Sequence, residues 1–293
     1  VQLDETTISR LTAGSPVLPM GPLLGAPGLE PGRPARFLDR ASQVVGSGIC
    51  DPENEVFRVW QADLARGFDG AFFAARLARA LEVRRRMGFV DGRSAYRLVN
   101  AEGDHLSGLT LDVYGTYGVV CALSRGLLPF GRLLAQAALD AGFGLEGVVV
   151  KVRGKGGDKS DKIKDEIVGA TPPDKLVVHE LDVPYEVHLK GALNVGLFTD
   201  MREHRRGLAR FVAGRRVLNT FAYTGALSVA AARAGAAAVT SVDLSGGVLA
   251  WAKDNFRLSG LDPEDPRHRF ETSDVRRWLE KAVEAGDRYD LII

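Results

Sequence analysis

The stretch from Arg215 to Asp243, RRVLNTFAYTGALSVAAARAGAAAVTSVD, limits what this chain can fold into more than any other. Val217 to Thr220 reads as a short strand, Phe221 to Gly225 as a tight turn, and Ala226 to Ala234 as a helix of small residues stopped by Gly235. A second strand then runs to Asp243. The result is a β-α-β unit with a carboxylate at the tip of its second strand. Each part has a reason to meet a nucleotide. Gly225 lacks a Cβ, so backbone can approach a ligand there. The helix after it offers unbonded N–H groups in its first turn. Asp243 stands where a carboxylate accepts both hydroxyls of a ribose.

The turn is not a dinucleotide fingerprint. That pattern needs three glycines, and Asn219-Thr-Phe-Ala-Tyr-Thr-Gly225 has one. A ligand without a pyrophosphate needs fewer, and S-adenosylmethionine (SAM) is such a ligand. A nicotinamide cofactor on an irregular turn, or a plain α/β crossover with no ligand, also satisfies the spacing. The chain beyond Asp243 favours SAM. Ser245 is placed to cap a helix to about Leu258, a Pro-rich loop spans Gly260 to His268, and Arg269 to Ser273 is a third strand. Asp274 stands at its tip, where a carboxylate can accept from an adenine amino group and cap the helix Val275 to Ala285 as well. Tyr289 to Ile293 is an apolar run typical of a buried parallel strand. The first residue is Val and the last lies inside that strand, so the expectation is a fragment of a longer protein.

Upstream, Gly191 to Asp200 precedes a helix over Met201 to Val212. Asp200 is a plausible N-cap with Glu203 three residues on. Six arginines between Arg202 and Arg216 face one acid, Glu203, giving a basic surface beside the turn. Residues 1 to 62 carry short apolar runs between Gly and Pro, the pattern of a small β-barrel or sandwich. Arg33, Arg36, Arg40 and Arg58 are candidates for a phosphate-contacting face. Asp69 to Met87 reads as a helix whose apolar positions Phe73, Leu77, Ala80, Leu81 and Met87 recur near a 3.6 period. Positions 31 to 97 hold 12 arginines against 8 acids, an excess suited to an RNA backbone or to a solvated face. Strands at Ala95–Asn100, Leu109–Val113, Val119–Leu123 and Val148–Val152, with a Pro-started helix over Pro129–Ala141, make a compact α+β unit. Arg153 to Pro173 is polar and charged and reads as a mobile loop or an insert touching RNA, or more simply as a solvated loop. Leu176–Val178 and Tyr185–Leu189 read as a hairpin.

The expected organisation is therefore three parts: a β-rich module over 1–62, a central α+β domain over 63–190, and a nucleotide-binding α/β domain over 191–293. A chain of 293 residues with net charge +1 has room for these and exerts no strong overall pull on nucleic acid, so any such pull is local. No apolar run has the length of a membrane span, and two cysteines, Cys50 and Cys121, without metal-ligand spacing, suit a reducing cytoplasm. Neither a metal nor a membrane is expected.

At this point a resemblance adds detail. Val217-Leu-Asn-Thr-Phe-Ala-Tyr-Thr-Gly225, Ser241-Val-Asp-Leu-Ser245, Leu193-Asn-Val-Gly-Leu-Phe-Thr-Asp-Met-Arg-Glu-His-Arg205 and Tyr96-Arg-Leu-Val-Asn-Ala-Glu-Gly-Asp104 resemble the bacterial class I SAM-dependent methyltransferases that modify cytosine C5 in 23S rRNA. The resemblance covers most of the chain. It implies an N-terminal PUA-like barrel, a central α+β domain and a Rossmann-like methyltransferase domain with SAM as cofactor and rRNA as substrate. It implies further that Asn219, Phe221, Tyr223, Thr224 and Gly225 shape the methionine side of the pocket, that Asp243 takes the ribose and Asp274 the adenine, that Ser245 belongs to the cofactor-binding set, and that Phe198, Asp200 and Arg202 border the cofactor. Thr199 and Met201 depart from the family, which has Leu and Gln there; Met201 cannot donate the hydrogen bond of a Gln. The family's Pro-Pro motif and cysteine nucleophile would fall after Ile293. No catalytic residue is assigned in this chain, and the expectation is a cofactor pocket without turnover. A non-catalytic RNA-binding module and a nicotinamide-dependent oxidoreductase stand as the alternatives.

Overall fold

The computed structural model describes residues 1–61, 67–90, 94–153 and 164–293. The chain forms two compact units, Val1–Pro172 and Pro173–Ile293.

In the first unit, helix α1 (Glu5–Thr12) is capped by Asp4, whose carboxylate accepts from the Thr7 N–H. The Gly- and Pro-rich pattern gave no sign of it. Strands β1 (Val17–Pro19), β2 (Pro34–Leu38), β3 (Val44–Asp51) and β4 (Val56–Gln61) make an antiparallel sheet in the order β1-β4-β3-β2. Leu18, Met20, Phe37, Cys50 and Phe57 form its core, with Ile8 and Leu11 of α1 packed against them. One arginine placed on a phosphate-contacting face is not on the surface. Arg58 is 5% exposed, and its Nε donates to Asp51 Oδ2 at 2.6 Å. A buried guanidinium demands such a carboxylate. Arg33 and Arg40 are exposed and pair with Glu30 and Glu5.

Helix α2 (Gly70–Arg86) starts at Asp69, which accepts from the Phe72 N–H. Phe73, Leu77, Ala80 and Leu81 are buried as the periodicity predicts. Met87 is not: it follows the last helical turn and is 53% exposed. Arg84 turns inward to fork onto Asp104, so part of the basic stripe is structural. Strands β5 (Ala95–Asn100), β6 (Leu109–Tyr114), β7 (Tyr117–Ala122), β8 (Gly147–Val152) and β9 (Glu166–Gly169) form a five-stranded sheet in chain order. Only β7 and β8 are parallel; helix α3 (Leu128–Asp140) makes their crossover, with Pro in its first turn. Trp60, Phe73, Leu98, Leu134 and Val150 belong to the large core between sheet and helices; each such side chain contributes about 1.5–3 kcal/mol on burial. The span read as one loop from Arg153 to Pro173 contains strand β9, whose Ile167 and Val168 pair with β8. Residues 154–163 of that span lie outside the described residues.

The second unit opens with the hairpin β10 (Leu176–Glu180) and β11 (Val183–Val187). This hairpin is bonded into the rest of the unit: the Glu186 N–H donates to Asn255 Oδ1 at 2.9 Å. The unit therefore begins at Pro173, ahead of the boundary at 191 that composition suggested. A 3₁₀ turn (Thr199–Met201) leads into α4 (Arg202–Val212). Then come β12 (Arg216–Thr220), α5 (Ala226–Arg233), β13 (Ala238–Asp243), α6 (Gly246–Leu258), β14 (His268–Thr272), α7 (Val275–Glu284) and β15 (Leu291–Ile292). The four strands are all parallel, in the order β14-β13-β12-β15. Side chains alternate across this sheet. Val217 and Val239 pack with Leu208, Val212 and Ala231 from α4 and α5, while Leu218 and Val242 pack with Val275, Trp278 and Ala282 of α7. This is a Rossmann-like α/β layer. Among the described residues no helix is long and apolar enough to cross a membrane.

Candidate functional site

Strand β12 has β13 on one side and β15 on the other. The strand order therefore reverses at β12, and the carboxyl end of that strand is the switch point where open α/β sheets bind ligands. The residues leaving it are Phe221 to Gly225. Three alternate residues of this turn hold left-handed backbone: Phe221 at φ 58°, Tyr223 at φ 50° and Gly225 at φ 74°. For Phe and Tyr this conformation is costly, about 1–3 kcal/mol each, and it persists only where neighbours impose it. Those neighbours are visible. The Ala222 N–H donates to Val242 O at 2.9 Å, and the Tyr223 N–H donates to Asp243 Oδ2 at 2.9 Å.

Asp243 is thereby fixed to the turn. Its other oxygen, Oδ1, accepts from the Ser245 N–H at 3.0 Å. Its carbonyl accepts from the Ser273 N–H at 2.9 Å, which brings the third strand tip alongside. The glycine turn, Asp243 and Asp274 thus share the carboxyl end of one sheet. With one N–H on each oxygen, the Asp243 carboxylate keeps acceptor capacity for the two hydroxyls of a diol. Ser245 caps α6, accepting from the Val248 N–H at 3.4 Å. Asp274 caps α7, and both of its backbone bonds, from Arg276 and Arg277, fall on Oδ1. Phe221 and Leu244 are 76% and 74% exposed at this end, so the sheet presents apolar surface beside the carboxylates.

Asn219 and Thr224 face inward rather than to the opening. Asn219 Nδ2 donates to Ser228 Oγ at 2.8 Å, and Ser228 shares a hydrogen bond with Ser241, so the three tie β12, α5 and β13 together. Thr224 Oγ1 donates to Gly196 O, which fastens the upstream segment over the turn. Phe198 lies on that segment, 42% exposed, with its ring centroid 5.4 Å from that of Tyr223. Burial pushes the Tyr223 phenol above its ordinary pKa, against a hydrogen bond with the Gly196 backbone that lowers it. Arg202 is buried at 5% exposure on α4. Asp200 differs from its expected capping role. It is exposed inside the 3₁₀ turn, and the helix begins behind Met201 with no side-chain cap. A 3₁₀ turn already bonds the first amides, so no side-chain acceptor is needed.

Several residues of the site gave no signal in the sequence. Asn255 is fully buried on α6; its Nδ2 donates to Thr224 O at 2.8 Å while its Oδ1 holds Glu186. Gly196 (φ 110°) lies against Trp251, whose ring would be 2.4 Å from any added Cβ. Trp251 stacks on His188 at 3.9 Å and donates to Glu186 O. An Asn within the apolar stripe Leu249, Ala252, Phe256 is the one available hint, since a buried amide must find partners. Neither cysteine has the character of a nucleophile. Desolvation raises the pKa of both Cys50 and Cys121, whereas an attacking thiolate needs a lowered one.

The sheet order and the switch-point geometry are those of a nucleotide-binding α/β domain, and the family match makes that domain one of the SAM-dependent methyltransferases. The model of the family described as S-adenosylmethionine-dependent methyltransferase matches residues 154–293. The chain is 33% identical over 262 residues to the ribosomal RNA large subunit methyltransferase I of Klebsiella pneumoniae (strain 342), covering 88% of this chain and 64% of that one. It is 33% identical over 270 residues to the protein of the same name from Tolumonas auensis, covering 90% and 67%. A solved structure described as a methyltransferase complexed with S-adenosylhomocysteine (SAH) superposes with a TM-score of 0.87 at 24% identity, over 100% of this chain and 74% of that one. The chain belongs to the ribosomal RNA large subunit methyltransferase I family. SAM is the family's cofactor, and the nicotinamide alternative falls with that assignment. The chain spans 64% of the length of the first curated relatives it matches.

Proposed function

We propose that this chain binds SAM at the carboxyl end of β12 and serves the transfer of its methyl group to large-subunit ribosomal RNA, at cytosine C5. The observation that carries the reading is the position of Asp243, bonded to the turn amide of Tyr223 and to the start of α6 at the switch point. In this reading Asp243 and Ser245 take the ribose edge and Asp274 the adenine. Asn219, Phe221, Tyr223, Thr224 and Gly225 form the methionine side, Asn219 and Thr224 by holding the turn from behind. Phe198, Asp200 and Arg202 border the cofactor from the upstream segment. The relatives' names, which specify the large ribosomal subunit, support the RNA substrate. The cytosine C5 assignment rests on the motif resemblance. That substrate puts the reaction in the cytoplasm. Residues 1–62 are read as a PUA-like module that contacts RNA, residues 63–172 as the central domain, and the unit from Pro173 onward as the transferase.

The test is titration of the chain with SAH and with NADH, followed by methyl transfer from labelled SAM to 23S rRNA and identification of the methylated nucleoside. SAH binding without 5-methylcytidine formed by this chain is the expected result, since neither Cys50 nor Cys121 has the lowered pKa of an attacking thiolate; 5-methylcytidine made by the chain overturns the expectation of a pocket without turnover. RNA affinity with no SAH affinity favours the non-catalytic module instead. A methylated base other than cytosine overturns the C5 assignment.

A further inference from the structure

The one ion pair of the second unit with both side chains nearly sealed from solvent, among the described residues, joins Arg205 of α4 to Glu180 at the end of β10, at 4% and 3% exposure. Arg205 Nε donates to Glu180 Oε1 at 2.6 Å, and Nη2 donates to Oε2. A pair this deep is weak evidence for stability, because removing two charges from water offsets most of their attraction. A planar fork of donors is good at fixing geometry. Here the fork has a further target: Nη2 also donates to Phe198 O at 2.7 Å. Phe198 precedes the 3₁₀ turn, outside regular secondary structure, and its ring rests against Tyr223 of the cofactor turn.

We infer that Glu180 and Arg205 are positioning residues, holding the Phe198 backbone so that the Phe198 ring and Tyr223 together wall the SAM site. This inference rests on the cofactor reading above. Glu180 sets the plane of the guanidinium, and the guanidinium sets the Phe198 carbonyl. The upstream segment has a second fixed point two residues earlier, where Gly196 O accepts from Thr224 Oγ1. Phe198 is therefore held on one side by the turn and on the other by the buried pair. Lysine at 205 would keep the charge and lose the fork, since an ammonium is a point charge without planar donors. Glutamine at 180 would keep the shape and lose the charge.

The experiment is a double-mutant cycle on the full chain, with SAH affinity read by calorimetry and folding by thermal unfolding. Arg205→Lys and Phe198→Ala are each expected to weaken SAH about tenfold, and the double variant is also expected to lose about tenfold, because both act through one side chain. A purely structural role for Arg205 gives a different result: the losses multiply to about a hundredfold, or Arg205→Lys lowers the melting temperature and leaves the affinity of the folded protein unchanged. Either outcome overturns the inference. If Arg205→Lys does not fold, Glu180→Gln with Phe198→Ala completes the same cycle with the same readings. Failure of the unsubstituted chain to bind SAH sinks the cofactor reading and this inference with it, whereas normal binding with multiplying losses sinks the inference alone.

Discussion

Helix α5 is bounded by two glycines of left-handed backbone, Gly225 at φ 74° and Gly235 at φ 86°. Alanine at either site must adopt a conformation that costs an L residue about 1–2 kcal/mol. The surroundings differ. A Cβ on Gly235 meets nothing within 4 Å, while one on Gly225 lies 2.8 Å from Ala252 Cβ. Ala252 is on the buried face of α6 and cannot swing aside like a long side chain, so crowding adds about 1–3 kcal/mol at Gly225. Gly225→Ala is thus expected to destabilise by about 2–5 kcal/mol and Gly235→Ala by about 1–2 kcal/mol. Urea unfolding of both variants measures the difference, and SAH titration reads the site. Gly225→Ala moves the turn against α6 and lowers SAH affinity; Gly235→Ala, at the far end of the helix, leaves it unchanged. Equal destabilisation in the two variants refutes the crowding argument. Full SAH affinity in folded Gly225→Ala refutes the place given to the turn.

Asn255→Ala strands the Glu186 N–H and the Thr224 carbonyl, and is expected to cost about 2–4 kcal/mol in denaturant unfolding. Arg58→Met leaves the Asp51 carboxylate buried without its partner and is expected to cost about 3–5 kcal/mol, with Asp51→Leu in the same chain restoring most of the loss. The Arg132 guanidinium, hydrogen-bonded to Glu166, holds that carboxyl below the usual glutamate range. Its folded pKa is depressed, so the stabilisation is present above the unfolded value of about 4.3 and disappears as pH falls through the folded one. The pair is half-exposed, so unfolding should show Glu166→Gln weaker than the parent by about 0.5 kcal/mol at pH 7, with the gap closed at strongly acid pH.

The second unit was legible from local pattern. Val217–Thr220, the turn, the small-residue helix and the strand ending at Asp243 lie where the alternation and the glycines put them, because each depends on neighbours close in sequence. Ser245 and Asp274 cap their helices for the same reason. What escaped is long-range. The Arg205–Glu180 pair spans 25 residues, Asn255 reaches Thr224 across 31, and the close fit of Gly196 to Trp251 is a matter of packing that no periodicity encodes. The misreadings have the same origin. Arg58 looked like one of four surface arginines until Asp51 and Ser107 enclosed it. Asp200 has the spacing of a capping box, yet the chain enters α4 through a 3₁₀ turn and does not use it. Helix α1 and strand β9 were hidden by composition: short segments in a Gly-, Pro- or charge-rich context carry too few residues for a period to show.

The central claim is that the turn ending at Gly225 and the carboxylates of Asp243 and Asp274 form one adenosine site. A crystal structure of this chain grown with SAH tests it most directly. The account predicts the ribose hydroxyls on Asp243, the adenine edge beside Asp274 and the amino-acid end against residues 221–225. Ligand bound elsewhere on the chain, with Asp243 touching only Tyr223 and Ser245, would contradict it.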